Sequence, residues 1–301
     1  FSDYSAAGQS VHSLYLAFPL LIISTIVIVT AIFPLTNVPD TMKADGHIVP
    51  DYSSALRAAC GAAFILTLLQ IILPIISFVP YLAVFGADSV SVAGELWNSC
   101  LIGAVAVLLM MIPSALMALM LTNEGMLCKP IVWIIAILPL SVPGVLTGIG
   151  VLGLFSSTPL YILRTGVLLP AIGLTIRYIP FSMLIQYGCY LRIDKERIRA
   201  AKLLQPSSYS AFIKVRLPMM APGLMISGIV VFLLTLGDVG TSLVLMSAGR
   251  EPMSVKIYNY LHYGSSEKVT LFCLIQMTVC LLLMGVVYFA TWLLKRKRDI
   301  T

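Results

Sequence analysis

The chain has 301 residues, of which 59% are hydrophobic and only 11% are charged. Soluble proteins carry about 25% charged residues, so this composition excludes a water-soluble fold and predicts an integral membrane protein. The apolar runs are long and continuous rather than alternating, which predicts membrane-spanning helices rather than strands. In a membrane protein the positions of lysine and arginine indicate which loops face the cytoplasm, so the net charge of +6 does not point to a nucleic-acid partner.

Seven apolar runs are long enough to cross about 30 Å of hydrocarbon. In chain order they lie at 12–36, 58–86, 96–121, 130–155, 167–191, 219–247 and 269–294. Proline interrupts several of them, and a bundle tolerates such breaks where neighbouring helices satisfy the freed backbone groups. The fold class is therefore predicted as all-α, an integral membrane protein with about seven transmembrane helices.

Lysine and arginine are distributed unequally between the predicted loops. Most of the 19 basic residues lie in segments 37–57, 122–129, 192–218 and 295–298, which all fall on one side of the membrane. Basic residues concentrate in cytoplasmic loops. We therefore predict that the N-terminus lies outside and the C-terminus inside.

A weak internal similarity suggests how the seven helices are grouped. Residues 3–7 (DYSAA) resemble residues 262–266 (HYGSS), and each stretch leads from a short polar segment into an inward-running apolar run. This similarity predicts that 1–36 is the last transmembrane helix of a preceding half. Segment 37–57 is then a cytoplasmic linker, and 58–301 is a six-helix half.

Segment 192–218 is the most informative loop. Residues 193–204 are predicted to form a helix, 205–208 a turn with serine as the N-cap, and 209–215 a second short amphipathic helix. A basic loop resting on anionic headgroups would explain the charge. A pair of helices that presents a compact surface to a soluble partner would also explain the small residues within the first helix.

The same loop resembles the E-A-A-x3-G-x9-I-x-L-P motif of ABC-transporter permeases. Five positions match its residue types and spacing, with valine in the place of isoleucine: Ala200, Ala201, Val215, Leu217 and Pro218. Two positions depart from it, since Arg199 stands where the family usually has glutamate and Gln205 where it usually has glycine. In that family the loop docks into a cleft on the ATPase subunit.

Further stretches extend the resemblance along most of the chain, and together they are most similar to the ferric-iron type of permease. They are LWNS at 96–99, LPLSVPG at 138–144, RYIPF at 177–181, FLLTLGDVGT at 232–241 and VKIYNY at 255–260. The resemblance implies a binding-protein-dependent importer of the prokaryotic inner membrane. It makes ferric iron the first expected substrate, with thiamine, phosphonate and polyamine as alternatives.

The resemblance also implies a set of partners. They are ABC ATPase subunits, an extracytoplasmic solute-binding protein, a second permease half and the lipid bilayer. The chain holds no G-x-x-x-x-G-K-[ST] phosphate loop, so ATP and Mg would bind to a separate ATPase chain. No catalytic arrangement and no metal-ligand spacing stands out, so we predict neither enzyme activity nor a cofactor or metal site in this chain.

Two ionisable residues, Arg177 and Asp238, lie within predicted spans. Such charges are costly and often line a translocation path or gate. A structural role is the alternative: an arginine bonding carbonyls freed by Pro180, or pairing with a carboxylate, and Asp238 is one candidate. Pro143 and Gly144 lie in a stretch rich in helix breakers, which favours either a deformable gate or close helix packing.

Two other classes of protein fit parts of the pattern. A secondary transporter driven by an ion gradient would need intramembrane carboxylates, for which Asp238 is the good candidate. A seven-helix receptor fits the topology, but it leaves the paired-helix loop without a clear use. Dependence on ATP and stable binding of an ATPase would separate both from an importer subunit.

Overall fold

A computed structural model of the chain describes residues 92–122, 128–156, 166–193, 195–205, 207–263 and 266–298, with scattered helical positions between 58 and 76. The predicted span 12–36, the linker 37–57 and most of the span 58–86 lie outside the described residues. The division of the chain at 1–36, 37–57 and 58–301 therefore stays a prediction.

Every element in the described ranges from residue 92 onward is helical. They are α1 (Ala93–Thr122), α2 (Lys129–Ser141), α3 (Gly144–Ser156), α4 (Leu168–Leu191), α5 (Lys195–Leu204), α6 (Ser208–Ala211), a π-helical turn (Phe212–Arg216), α7 (Leu217–Leu236), α8 (Gly240–Leu245), α9 (Met253–His262) and α10 (Ser266–Arg298). Within these described ranges, four stretches are long and apolar enough to span a membrane: α1, α4, Tyr209–Leu236 and Lys268–Gly285 of α10. The bent pair α2–α3 is a fifth candidate. The all-helical membrane fold is thus confirmed, while the count of seven and the orientation stay predictions.

Helices α1, α4 and α7 form the centre of the described bundle. Helices α1 and α4 run parallel. Thr175 donates to the carbonyl of Ala106, and about two turns further along both helices Ser182 donates to Ser114. Helix α7 runs antiparallel to them, and its Thr235 lies against Gly103 near the start of α1. A β-carbon at Gly103 would stand 2.7 Å from the Thr235 hydroxyl, so this glycine sets the close approach of α1 and α7.

The predicted fourth span, 130–155, is two helices rather than one. Helix α2 ends at Ser141 and α3 begins at Gly144, with a bend of 107° between them. Val142 is extended (φ −89°, ψ 121°), because the ring of Pro143 disfavours the helical conformation in the residue before it. Pro143 also lacks the N–H that a continuous helix would need. The proline at 143 thus divides the predicted run into two helices, which together remain one candidate span.

The predicted sixth span, 219–247, is also interrupted. Helix α7 ends at Leu236, and the short helix α8 starts only at Gly240. At its other end the helix is longer than predicted, since α6 and the π-helical turn lead without a gap into α7. The expected separate helix at 209–215 is thus the first part of the span, and Pro218 lies inside it.

Candidate functional site

Arg177 and Asp238 form an ion pair inside the bundle. Arg177 lies on α4, nine residues from its start, and Asp238 lies in the break between α7 and α8. The guanidinium Nε is 3.1 Å from Oδ1 of the carboxylate, and the two side chains are 30% and 3% exposed. The structure therefore brings together the two intramembrane charges, and it supports the pairing alternative for Arg177.

The carboxylate of Asp238 is fully occupied by donors. Besides Arg177, Oδ1 accepts from the hydroxyl of Tyr178 at 3.1 Å and from that of Thr241 at 3.4 Å. The other oxygen, Oδ2, accepts from the backbone N–H groups of Thr241 and Ser242 at 2.9 and 3.1 Å. These amides open α8, where a helix leaves its N–H groups without intrahelical partners. A carboxylate offers about four lone-pair sites, so these donors use its whole capacity.

Gly144 lies against the guanidinium of Arg177. A β-carbon at this position would stand 2.6 Å from Nη1 of Arg177 and 3.1 Å from the Thr241 hydroxyl. Gly240, the first residue of α8, also packs against the bend, since a β-carbon at residue 240 would stand 3.3 Å from the backbone nitrogen of Val145. The break between α2 and α3 therefore meets the break between α7 and α8, with Arg177 and Asp238 between them.

Helix α9 also contacts the site where the two helix breaks meet. The Ser254 hydroxyl donates to the backbone carbonyl of Asp238 at 2.8 Å, and the backbone N–H of Met253 donates to the Ser99 hydroxyl at 2.7 Å. Sequence reasoning missed α9, whose apolar residues do not fill a membrane span. The signal that was available is the proline at 252, which favours a helix start immediately after it.

A second polar cluster holds the three central helices together. Nε2 of the buried Gln186 lies 2.9 to 3.0 Å from the hydroxyls of Ser114, Ser182 and Ser227. Its amide oxygen accepts from the hydroxyl of Tyr190 at 3.1 Å. Sequence reasoning missed this cluster as well. Its signal is the row of polar residues at 182, 186 and 190, which share one helical face within an apolar run.

The predicted coupling loop lies at the opposite end of α7 from α9. Arg199, Ala200 and Ala201 belong to α5, Val215 to the π-helical turn, and Leu217 and Pro218 to the first turn of α7. The predicted serine cap is present, because the backbone N–H of Ser210 donates to the Ser207 hydroxyl at 3.1 Å. The amide oxygen of Gln205 accepts from the Ser210 hydroxyl at 3.0 Å, so this residue ties the turn to α6.

Three large side chains of this segment have no cover within the described structure. Leu203 is 87% exposed, Leu204 82% and Tyr209 74%. They lie beyond the end of α4, where the chain leaves the apolar bundle for a segment rich in lysine and arginine. We call α5, the turn and α6 the coupling segment. Its exposed apolar surface is the kind of feature that marks a protein or membrane contact.

Comparison with known proteins gives one distant relative. No protein-family profile matches the sequence. The chain is 24% identical over 229 residues to the spermidine/putrescine transport system permease protein PotB of Haemophilus influenzae, which covers 69% of this chain and 78% of that protein. This distant likeness supports the ABC-transporter permease family, but it does not support the ferric-iron type in particular.

Two coarser conclusions follow from the fold and the relative together. The chain is a transport subunit and not an enzyme, as the sequence predicted. It is a multi-pass protein of the cell inner membrane. Within the described ranges, no group of three or more His, Cys, Asp and Glu side chains is placed to hold a metal ion.

Proposed function

We propose that the chain is the membrane-spanning permease subunit of an ATP-driven ABC importer. It forms part of the substrate path and couples to separate ATPase subunits, which bind the ATP and Mg. An extracytoplasmic solute-binding protein and a second permease half complete the assembly. The observation that carries this proposal is the exposed coupling segment of a chain that resembles a transport-system permease over 229 residues.

The coupling segment has the properties of a docking element. Leu203, Leu204 and Tyr209 project from a short, capped helical pair, and an exposed apolar patch of this kind is typical of a protein contact. The segment continues through the π-helical turn into α7 without a gap. A push on the segment would therefore be carried along α7 to the junction at Asp238.

The gate in this proposal is the meeting point of the two helix breaks. Pro143, Gly144, Arg177 and Asp238 converge there. Arg177 remains 30% exposed about 14 Å along α4, at a depth where a guanidinium is stable only against protein or water. We therefore propose that its exposed side faces the substrate path or the second permease half.

For the substrate, we propose polyamines in place of ferric iron. The relative is named for spermidine and putrescine, and no comparison points to iron.

The donors around Asp238 argue against a secondary transporter. A coupling carboxylate must exchange an ion or a proton, whereas the oxygens of Asp238 are already held by the helix α8 amides, Tyr178, Thr241 and Arg177.

The coupling segment provides the test of this proposal. The chain is purified gently from native membranes, and the proteins that accompany it are identified by mass spectrometry. We expect an ATPase in the wild-type preparation, and we expect it to be lost when Leu203 and Leu204 are both changed to Asp, because two desolvated charges would oppose docking. Changing Ala200 and Ala201 to Asp should have the same effect.

The control is Leu261→Asp, which places one such charge on an exposed leucine of α9 at the other end of the bundle. This variant should retain the ATPase. A wild-type chain that brings down no ATPase even after crosslinking would contradict the importer proposal. Uptake of labelled spermidine, putrescine and ferric iron by cells with and without the chain then tests the substrate.

A further inference from the structure

Helix α9 has one buried end and one exposed end. Met253, Ser254 and Val255 at its start are at most 4% exposed, whereas Leu261 and Tyr263 at the other end are 65% and 84% exposed. The helix lies at the end of the bundle opposite the coupling segment. Lys256 marks this position, since its ammonium is 3.8 Å from Glu95 near the start of α1. The helix thus reaches from a free surface to the interior.

Two serines hold the buried end in place. The Ser254 hydroxyl donates to the carbonyl of Asp238, and the Ser99 hydroxyl accepts from the N–H of Met253. The carbonyl of Asp238 and the N–H of Met253 lie at helix ends, where intrahelical partners are missing. Each serine therefore supplies a hydrogen bond that the helix itself does not make. Both serines are at most 5% exposed, so water cannot replace either bond.

Asp238 joins this anchor to the gate. Its backbone carbonyl binds α9 through Ser254, while its carboxylate binds α4 through Arg177 and the start of α8 through Thr241 and Ser242. Arg177 in turn lies against Gly144 at the bend of α2 and α3. A single residue therefore connects the inner end of α9 to both helix breaks.

We infer that Ser254 and Ser99 are positioning residues that tie α9 to the Arg177–Asp238 junction, so that a displacement of the exposed end of α9 reaches the gate. The inference rests on the proposed function. In an importer, the partner on this side of the membrane is the solute-binding protein, and its docking would move α9. Contact alone does not demonstrate coupling, so the inference requires a functional measurement.

The measurement is the stimulation of ATP hydrolysis by the solute-binding protein. The complex with its ATPase is reconstituted in nanodiscs, and hydrolysis is compared with and without the co-purified binding protein, with spermidine as the probe. We expect Ser254→Ala to lower the ratio of the two rates about fivefold, the factor that one net hydrogen bond supplies. Ser254→Thr keeps the hydroxyl and should restore the ratio, which a purely steric role of the site would not allow.

Two further variants make the outcome decisive. Ser99→Ala removes the other anchor, leaves the Asp238 contact intact and should also lower the ratio. It provides the measurement if Ser254→Ala does not accumulate in the membrane. Thr278→Ala is the control, because among the described residues its hydroxyl bonds the carbonyl of Leu274 in its own helix and no other group, and its ratio should equal that of the wild type.

The possible failures can be distinguished. A wild-type ratio in both Ser254→Ala and Ser99→Ala overturns the inference and leaves the proposed importer function standing. A wild-type complex that hydrolyses no ATP, or that no binding protein stimulates, overturns the proposed function and this inference with it. A lowered ratio that Ser254→Thr does not restore also counts against the role of the hydroxyl.

Discussion

Gly144 lies so close to Arg177 that a β-carbon at residue 144 would stand 2.9 Å from the carbon at the centre of the guanidinium. Because of this contact, the bend between α2 and α3 and the charge on α4 form one structural unit. Asp238 holds the arginine from the other side. Changes at any of these residues are therefore expected to affect the others.

Changing Gly144 to Ala should disturb this unit. The added methyl group would displace the guanidinium or open the bend, and overpacking of this kind costs about 1–3 kcal/mol of stability. We expect a lower thermal unfolding temperature and a large loss of substrate uptake. Gly150→Ala is the matched control in the same helix, since nothing lies within 4 Å of its β-carbon position. Equal behaviour of the two variants would show that the contact with Arg177 is unimportant.

Changing Asp238 to Asn should leave Arg177 without its counter-charge. Breaking a buried ion pair costs about 3 kcal/mol, and the cost should lie at or below this figure because Arg177 is 30% exposed. The double variant with Arg177→Gln should be less destabilised than the sum of the single changes. Thermal unfolding of the purified protein measures all three.

The control for that cycle is Glu251→Gln, which removes a partner 3.5 Å from Lys256 at the surface. Lys256 keeps Glu95 as a second partner at 3.8 Å, so a smaller change than that of Asp238→Asn is expected. Strictly additive effects of the Arg177 and Asp238 changes would mean that the two charges do not stabilise one another.

Changing Gln186 to Leu should weaken the contact between α1, α4 and α7. Leucine fills a similar volume but leaves the hydroxyls of Tyr190 and of the three serines without the amide. Hydrogen bonds between membrane helices contribute about 0.6 kcal/mol each, so a loss of about 1–2 kcal/mol is expected. Thr278→Val, which removes only a bond within its own helix, should be close to neutral. A neutral Gln186→Leu variant would show that the cluster does not hold the bundle.

Changing Pro143 to Ala tests whether the proline alone maintains the bend. We expect the bend to persist, because α3 is held by α8 and by Arg177 as well as by its sequence. Spin labels at the exposed positions Ile135 and Leu154 report the angle. A straight helix would separate their backbones by about 28 Å. The observed bend of 107° brings them to about 18 Å. The longer distance in the Pro143→Ala variant would assign the bend to the proline.

Much of the fold was predictable from residue types, but the helix breaks were predicted less well. Long apolar runs located α1, α4 and α10. A segment that spans lipid needs apolar side chains throughout, and it must satisfy its backbone hydrogen bonds internally, as a helix does. The bend at Val142 had a signal in Pro143. The break at Asp238 had a weaker signal in the glycines at 237 and 240, which favour either a local break or close helix approach, because glycine is common inside membrane helices. It is Asp238 that stabilises the break, by accepting from the first amides of α8.

The sequence by itself determined that this is a helical membrane protein, and it indicated which segment leaves the membrane and which residues carry charge within it. These conclusions follow from the cost of placing polar groups in hydrocarbon, which acts on each segment separately. Only the tertiary structure decided that Arg177 pairs with Asp238 and that α9 reaches the same junction. Residues 177 and 238 are far apart along the chain, and their contact depends on how α4 and α7 pack. No local pattern of residues encodes that packing.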